Sequence, residues 1–95
     1  MKNQIKHTEK SLKIEFFSKT DINFNLRLGE CHLLLNPPVT YEITNMKMGK
    51  VLKIMNHKYS AKEALLFKRI GPDIVCTMSY LYIPMKYIGS IKEVL

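Results

Sequence analysis

The chain has 95 residues, 46% hydrophobic and 24% charged, with a formal net charge of +7. These proportions lie near the globular average and exclude a disordered tail, a collagen-like rod and a coiled coil. Apolar runs such as 33–35 and 64–67 fall far short of the ~20 residues that span a bilayer.

Residues 1–11 are polar and Lys-rich and read as a flexible basic arm ahead of a single β-rich domain over 12–95. Leu12, Ile14 and Phe16 alternate with charged residues as in a strand. Residues 18–21, Ser-Lys-Thr-Asp, have turn chemistry. The cleanest period-2 run follows at 22–28, with Ile22, Phe24, Leu26 and Leu28 on one face and Asn23, Asn25 and Arg27 on the other. Gly29 and Glu30 break it, and 31–35 reads as a more buried strand. Pro37 and Pro38 end that strand, because proline cannot donate to a ladder.

Residues 39–44 alternate again, with Val39, Tyr41 and Ile43 on one face. A turn at Gly49 and Lys50 and a strand over 51–55 come next. The pattern then changes. Ser60 and Glu63 have the spacing of a capping box, good helix formers follow, and Gly71-Pro72 is a stop signal after Lys68 and Arg69. A short helix over 61–70 is expected, against a competing strand over 65–70 that turns at Gly71. Residues 73–83 form the longest β-like run, read as one central strand with Cys76, Met78, Tyr80 and Tyr82 on one face and Val75, Leu81 and Ile83 on the other. Pro84 ends it, Met85, Lys86 and Tyr87 read as a tight turn, and 91–95 as a last short strand.

The expected fold is therefore mainly β (or α+β): a compact antiparallel small barrel or a strongly bent sheet, with one short helix near 61–70. Residues 81–88, Leu-Tyr-Ile-Pro-Met-Lys-Tyr-Ile, resemble the strand, one-turn 3₁₀ helix and strand that close SH3-like small barrels. The resemblance implies that barrel geometry at the C-terminal end, with Pro84 and Tyr87 beside a peptide groove. It extends to no other part of the chain, which has no Trp to serve as a groove tryptophan.

No apolar run follows the first residues, and the chain holds only two cysteines, Cys31 and Cys76. A reducing cytoplasm, two free thiols and no membrane are expected. A monomer or small homo-oligomer suits a chain of this size. Cys31 and His32 are adjacent and would point to opposite faces of a strand, so no metal site or cofactor is expected; zinc needs about four converging ligands. The four glycines punctuate turns and build no phosphate cradle.

The charge is concentrated. Segment 46–70 carries Lys47, Lys50, Lys53, Lys58, Lys62, Lys68 and Arg69 against Glu63 alone. Such a field attracts polyanions or an acidic protein face. These seven residues, with Tyr59 as an aromatic neighbour, are the candidate binding residues. Lys outnumbers Arg, which fits phosphate contacts with little sequence preference better than bidentate base reading. The leading expectation is a non-enzymatic module that binds nucleic acid, RNA or single-stranded DNA, through this face. Tyr41, Tyr59, Tyr80, Tyr82 and Tyr87 are the possible stacking platforms, Tyr80 and Tyr82 alternatively being core.

The alternative is a protein-interaction or inhibitor module that docks on an acidic partner protein, with Met46, Met48, Met55, Met78 and Met85 supplying an adaptable apolar patch. Small basic proteins without a catalytic motif are typical of phages and other mobile elements, and that likeness is an analogy. A third reading is a metal-free endoribonuclease using His57, Tyr59, Glu63 and Arg69, the right residue types for a base, an acid and a phosphate-binding cation.

Overall fold

A computed structural model of the chain describes residues 4–17, 32–47, 49–55 and 58–94. The expected strand over 22–28, the thiol of Cys31 and the side chain of His57 lie outside the described residues.

Eight strands, one α-helix and one 3₁₀ turn make up the described structure. Strands β1 (Gln4–Thr8), β4 (Val39–Met46), β5 (Gly49–Met55), β6 (Val75–Cys76) and β7 (Tyr80–Pro84) form a five-stranded antiparallel sheet in the order β1-β4-β5-β7-β6. Strands β2 (Ser11–Phe16), β3 (His32–Leu35) and β8 (Ile88–Val94) form a second antiparallel sheet in the order β3-β2-β8. The two sheets pack face to face with helix α1 (Ala61–Ile70) against the same core. The fold is mainly β with one short helix, as expected. Its sheets are bent against each other and do not close into a barrel, because β1 and β6 end one sheet and β3 and β8 the other among the described residues.

Period-2 alternation explains the core. Leu12, Ile14 and Phe16 from β2 and Leu33 and Leu35 from β3 meet Tyr41 from β4, Leu52 and Ile54 from β5, and Leu81 and Ile83 from β7. Phe67 and Ile70 of α1 complete it from the side. Each fully buried Leu or Ile contributes roughly 1.5–3 kcal/mol relative to exposure.

The helix is bounded as its residues dictate. The Ser60 hydroxyl accepts from the Glu63 N–H at 3.2 Å, and the Glu63 carboxylate accepts from the Ser60 N–H at 3.0 Å. Both halves of a capping box are present, satisfying two donors that a helix start leaves unpaired. Ser60→Ala is expected to lower stability by about 1 kcal/mol; a urea midpoint unchanged from the parent protein would contradict that role.

Four expectations are corrected. Residues 4–8 are no arm: they form β1 and pair with β4 from Gln4 opposite Ile43 to Thr8 opposite Val39. Polar residues suffice there because β1 is an edge, with Gln4, Ile5, Lys6 and His7 exposed. The turn placed at Gly49 and Lys50 falls earlier, since Met46 already pairs with Gly49. Gly49 has φ +109°, a region that side chains disfavour.

The run 73–83 is also not one strand. It folds back at Thr77, whose hydroxyl accepts from the N–H groups of Ser79 and Tyr80 at 3.3 and 3.0 Å. The Thr77 N–H donates to the Tyr80 carbonyl at 2.8 Å. A threonine side chain closing its own turn is what converts a β-like run into a hairpin. The faces change accordingly. Val75 stands beside Tyr82 and Cys76 beside Leu81, whereas Met78 lies at the tip, 79% exposed. After Pro84, a 3₁₀ turn at Met85–Tyr87 leads directly into β8, the strand–3₁₀–strand arrangement that the resemblance implies. β8 begins at Ile88, earlier than the expected start at 91.

The sheets are also joined by a buried tyrosine. The Tyr41 hydroxyl donates to Glu93 Oε2 at 3.1 Å. Burial, reinforced by that carboxylate, pushes the phenol from 10.0 up to about 12. A raised acid pKa means the unfolded chain loses this proton first. The stabilising effect is complete below pH 10, declines above it, and is gone beyond about pH 12. Tyrosinate absorbance is expected to show one late-titrating ring that Tyr41→Phe removes. An unchanged titration in that variant would contradict the assignment.

Candidate nucleic-acid interface

The five-stranded sheet has a face turned away from the core, and register places its residues. Glu42 on β4 stands opposite Lys53 on β5, Lys53 opposite Tyr82 on β7, and Tyr82 opposite Val75 on β6. In the next row Met55 stands opposite Tyr80. Glu42 is buried, while Tyr80 is 39% exposed and Lys53 and Tyr82 are half-buried.

Lys53 and the two tyrosines form one group. The ammonium sits 4.7 Å from the Tyr80 ring centroid and 5.8 Å from that of Tyr82. The rings are 5.9 Å apart and tilted by 35°. Attraction between a cation and ring faces holds such a group together and is worth about 0.5–1 kcal/mol when exposed. Because both tyrosines point away from the core, they are not core residues.

Beside Tyr82 the same face opens into a pocket of about 240 Å³. Its walls are Met46, Val51, Val75, Tyr82 and Pro84, with Lys47 and Asp73 also lining it. Asp73 is neutralised where it stands: Lys86 Nζ lies 2.7 Å from its Oδ2, and the Tyr87 hydroxyl donates to the same oxygen at 3.4 Å. The Lys86 hydrogen bond is the main cause holding the Asp73 carboxyl below its ordinary range, and the charge of Lys68 also contributes. Pro84 lines this pocket. The Tyr87 ring instead lies over Gly71.

The expected binding residues divide. Lys47 lines the pocket, and Lys53 lies over the Tyr80 and Tyr82 rings beside it. Lys50 is exposed on β5 but points to the opposite side from Lys53, three residues away on a strand. Lys62, Lys68 and Arg69 are exposed on α1, with Leu65 between them 69% exposed. Lys58 is exposed just before the helix. Ion pairs among the described residues join Lys13 to Glu15 and Lys86 to Asp73; the six lysines and Arg69 of the basic segment take part in neither.

Tyr59 is the clear correction. Its ring meets Phe67 edge-on at 5.3 Å and 87° and packs against the core, so it is unavailable as a stacking surface. The ribonuclease residues are likewise not assembled among the described residues: Tyr59 packs inward and Glu63 is engaged in the helix cap.

Val51 and Val75, with Lys86, were missed as site residues. No local signal marks them, since β4, β5, β6 and β7 meet only through long-range pairing. Cys76, on the core side beneath α1, has its thiol pushed up by burial, which makes it a poor nucleophile. No three His, Cys, Asp or Glu side chains converge among the described residues. No helix there is long and apolar enough to cross a membrane. Compared with protein-family models, curated proteins and solved structures, the chain matches none.

Proposed function

We propose that the protein is a non-enzymatic module that binds nucleic acid through the outer face of its five-stranded sheet. The observation that carries this reading is the group formed by Lys53, Tyr80 and Tyr82, a cation between two solvent-facing rings. Aromatic faces accept any base and lysines accept any phosphate, so the group favours contact without base identity. Lys47, in no ion pair among the described residues, extends the positive potential beside it.

Fluorescence anisotropy of labelled single-stranded RNA, single-stranded DNA and duplex DNA, titrated at several salt concentrations, tests the proposal. The expected result is a linear fall of log K with log salt, about 0.7 per phosphate contacted on a single strand. No binding near physiological salt would overturn it.

One observation favours a second reading, a protein-interaction or inhibitor module for an acidic partner. Met46 and Val75 are 49% and 43% exposed beside the pocket, and β6 is a sheet edge among the described residues. An apolar patch next to cations suits such a partner. Absence of nucleic-acid binding would transfer the assignment to this reading.

A further inference from the structure

The pocket beside Tyr82 has a chemistry of its own. We infer that it receives one unstacked nucleobase, so that the protein selects single strands over duplexes; the inference rests on the nucleic-acid reading above. The volume, about 240 Å³, equals the share of roughly eight waters in the liquid. That is room for one flat ring system or one side chain, and too little for a drug-sized ligand. The walls are almost wholly apolar, and one of them is the Tyr82 ring. A base offers two apolar faces to such a slot and leaves its sugar and phosphate at the mouth.

The charges at the mouth fit that occupant. Lys47 lines the opening and takes part in no ion pair among the described residues, and the single negative charge of Asp73 is already met by Lys86. The mouth therefore carries a net positive charge next to an apolar cavity, which matches a nucleotide, apolar-faced at one end and anionic at the other. Lys53, on the other side of Tyr82, provides a second phosphate contact along the same face, with Tyr80 as a platform for a neighbouring base. Paired and stacked bases cannot enter the slot, whereas a single strand can turn one out without unpairing it.

The test compares three labelled RNAs by anisotropy: an eight-nucleotide single strand, the same strand with abasic sites at its central positions, and a duplex. Val51→Phe, which fills the pocket from its floor, is measured alongside, and its fold is checked by circular dichroism. The intact strand is expected to bind about tenfold or more tightly than the abasic strand and more tightly than the duplex. Val51→Phe is expected to remove most of that advantage while leaving abasic binding unchanged. The abasic comparison on the parent protein stands even if the variant fails to fold.

Equal, salt-dependent binding of intact and abasic strands would overturn the pocket assignment and leave the nucleic-acid reading intact. Failure of all three RNAs to bind, with capture of a labelled peptide of glutamates around one leucine, would overturn both.

Discussion

Reversing the charge at Lys47 and Lys53 together is expected to weaken binding of a single-stranded oligonucleotide by about tenfold or more near physiological salt. Losing two phosphate contacts at a slope of about 0.7 each gives roughly that factor, and the added negative charge increases it. The slope of log K against log salt is expected to fall by about 1.4. Lys53→Met separates the two roles of this residue. It retains the aliphatic stem beside Tyr80 and Tyr82 and removes the ammonium that lies over them.

The control is a Lys50→Glu, Lys62→Glu variant, which changes the net charge equally. Lys50 points to the other side of β5, and Lys62 lies on the solvent side of α1. A small effect in this control with a large one in the first variant locates binding on the outer sheet face. Equal losses would mean that affinity follows total charge, and the proposed site would fail.

Gly71→Ala is expected to cause the largest loss of stability accessible by adding one methyl group. Gly71 is buried at the end of α1, and a Cβ built there would clash with the ring carbons of Tyr87. Its φ of −162° is extended backbone open to any residue, so lack of space is what demands glycine. The ring cannot move freely. Its hydroxyl donates to Asp73 at 3.4 Å, and its carbonyl accepts from the Phe17 N–H at 3.0 Å.

Overpacking of this kind costs about 1–3 kcal/mol. For a domain of this size that lowers Tm by very roughly 10 °C. Thermal unfolding followed by circular dichroism measures it. Tyr87→Ala removes the obstruction, so adding Gly71→Ala to it is expected to cost much less than Gly71→Ala alone. A Gly71→Ala protein with an unchanged Tm would refute the packing described here.

Gly71 also shows how a residue can be read correctly for an incomplete reason. In sequence it marks the end of a helix, and α1 does end before it. The tight approach of Tyr87, sixteen positions later, has no sequence signature, because it arises from the 3₁₀ turn folding back over the end of α1.

The elements legible in the sequence are those governed by neighbours. Ser60 and Glu63 cap the helix through their own backbones, so α1 over 61–70 follows from a three-residue spacing. The alternation of Val39, Tyr41 and Ile43 marks a strand with one face inward because successive side chains on a strand must oppose each other. Pro84 ends β7 as its missing N–H requires. The Lys-rich composition of 46–70 was visible as a total, but its arrangement in space was not.

The arrangement came from pairing between distant segments. β1 has too few apolar residues to announce a strand, and it exists because β4 offers it a ladder. The run 73–83 alternates as one strand would, yet the Thr77 hydroxyl closes a turn that period-2 reading cannot detect. Most decisive for the proposed site, Lys53 meets Tyr80 and Tyr82 because β5 pairs with β7, and Val75 joins Tyr82 because β6 follows on the same edge. Capping, alternation and proline act between neighbours, so α1, β2, β4 and the end of β7 are legible in the chain. Tertiary structure alone decided that a lysine, two tyrosines and an apolar pocket share one face, since register between strands is set by burial of a common core.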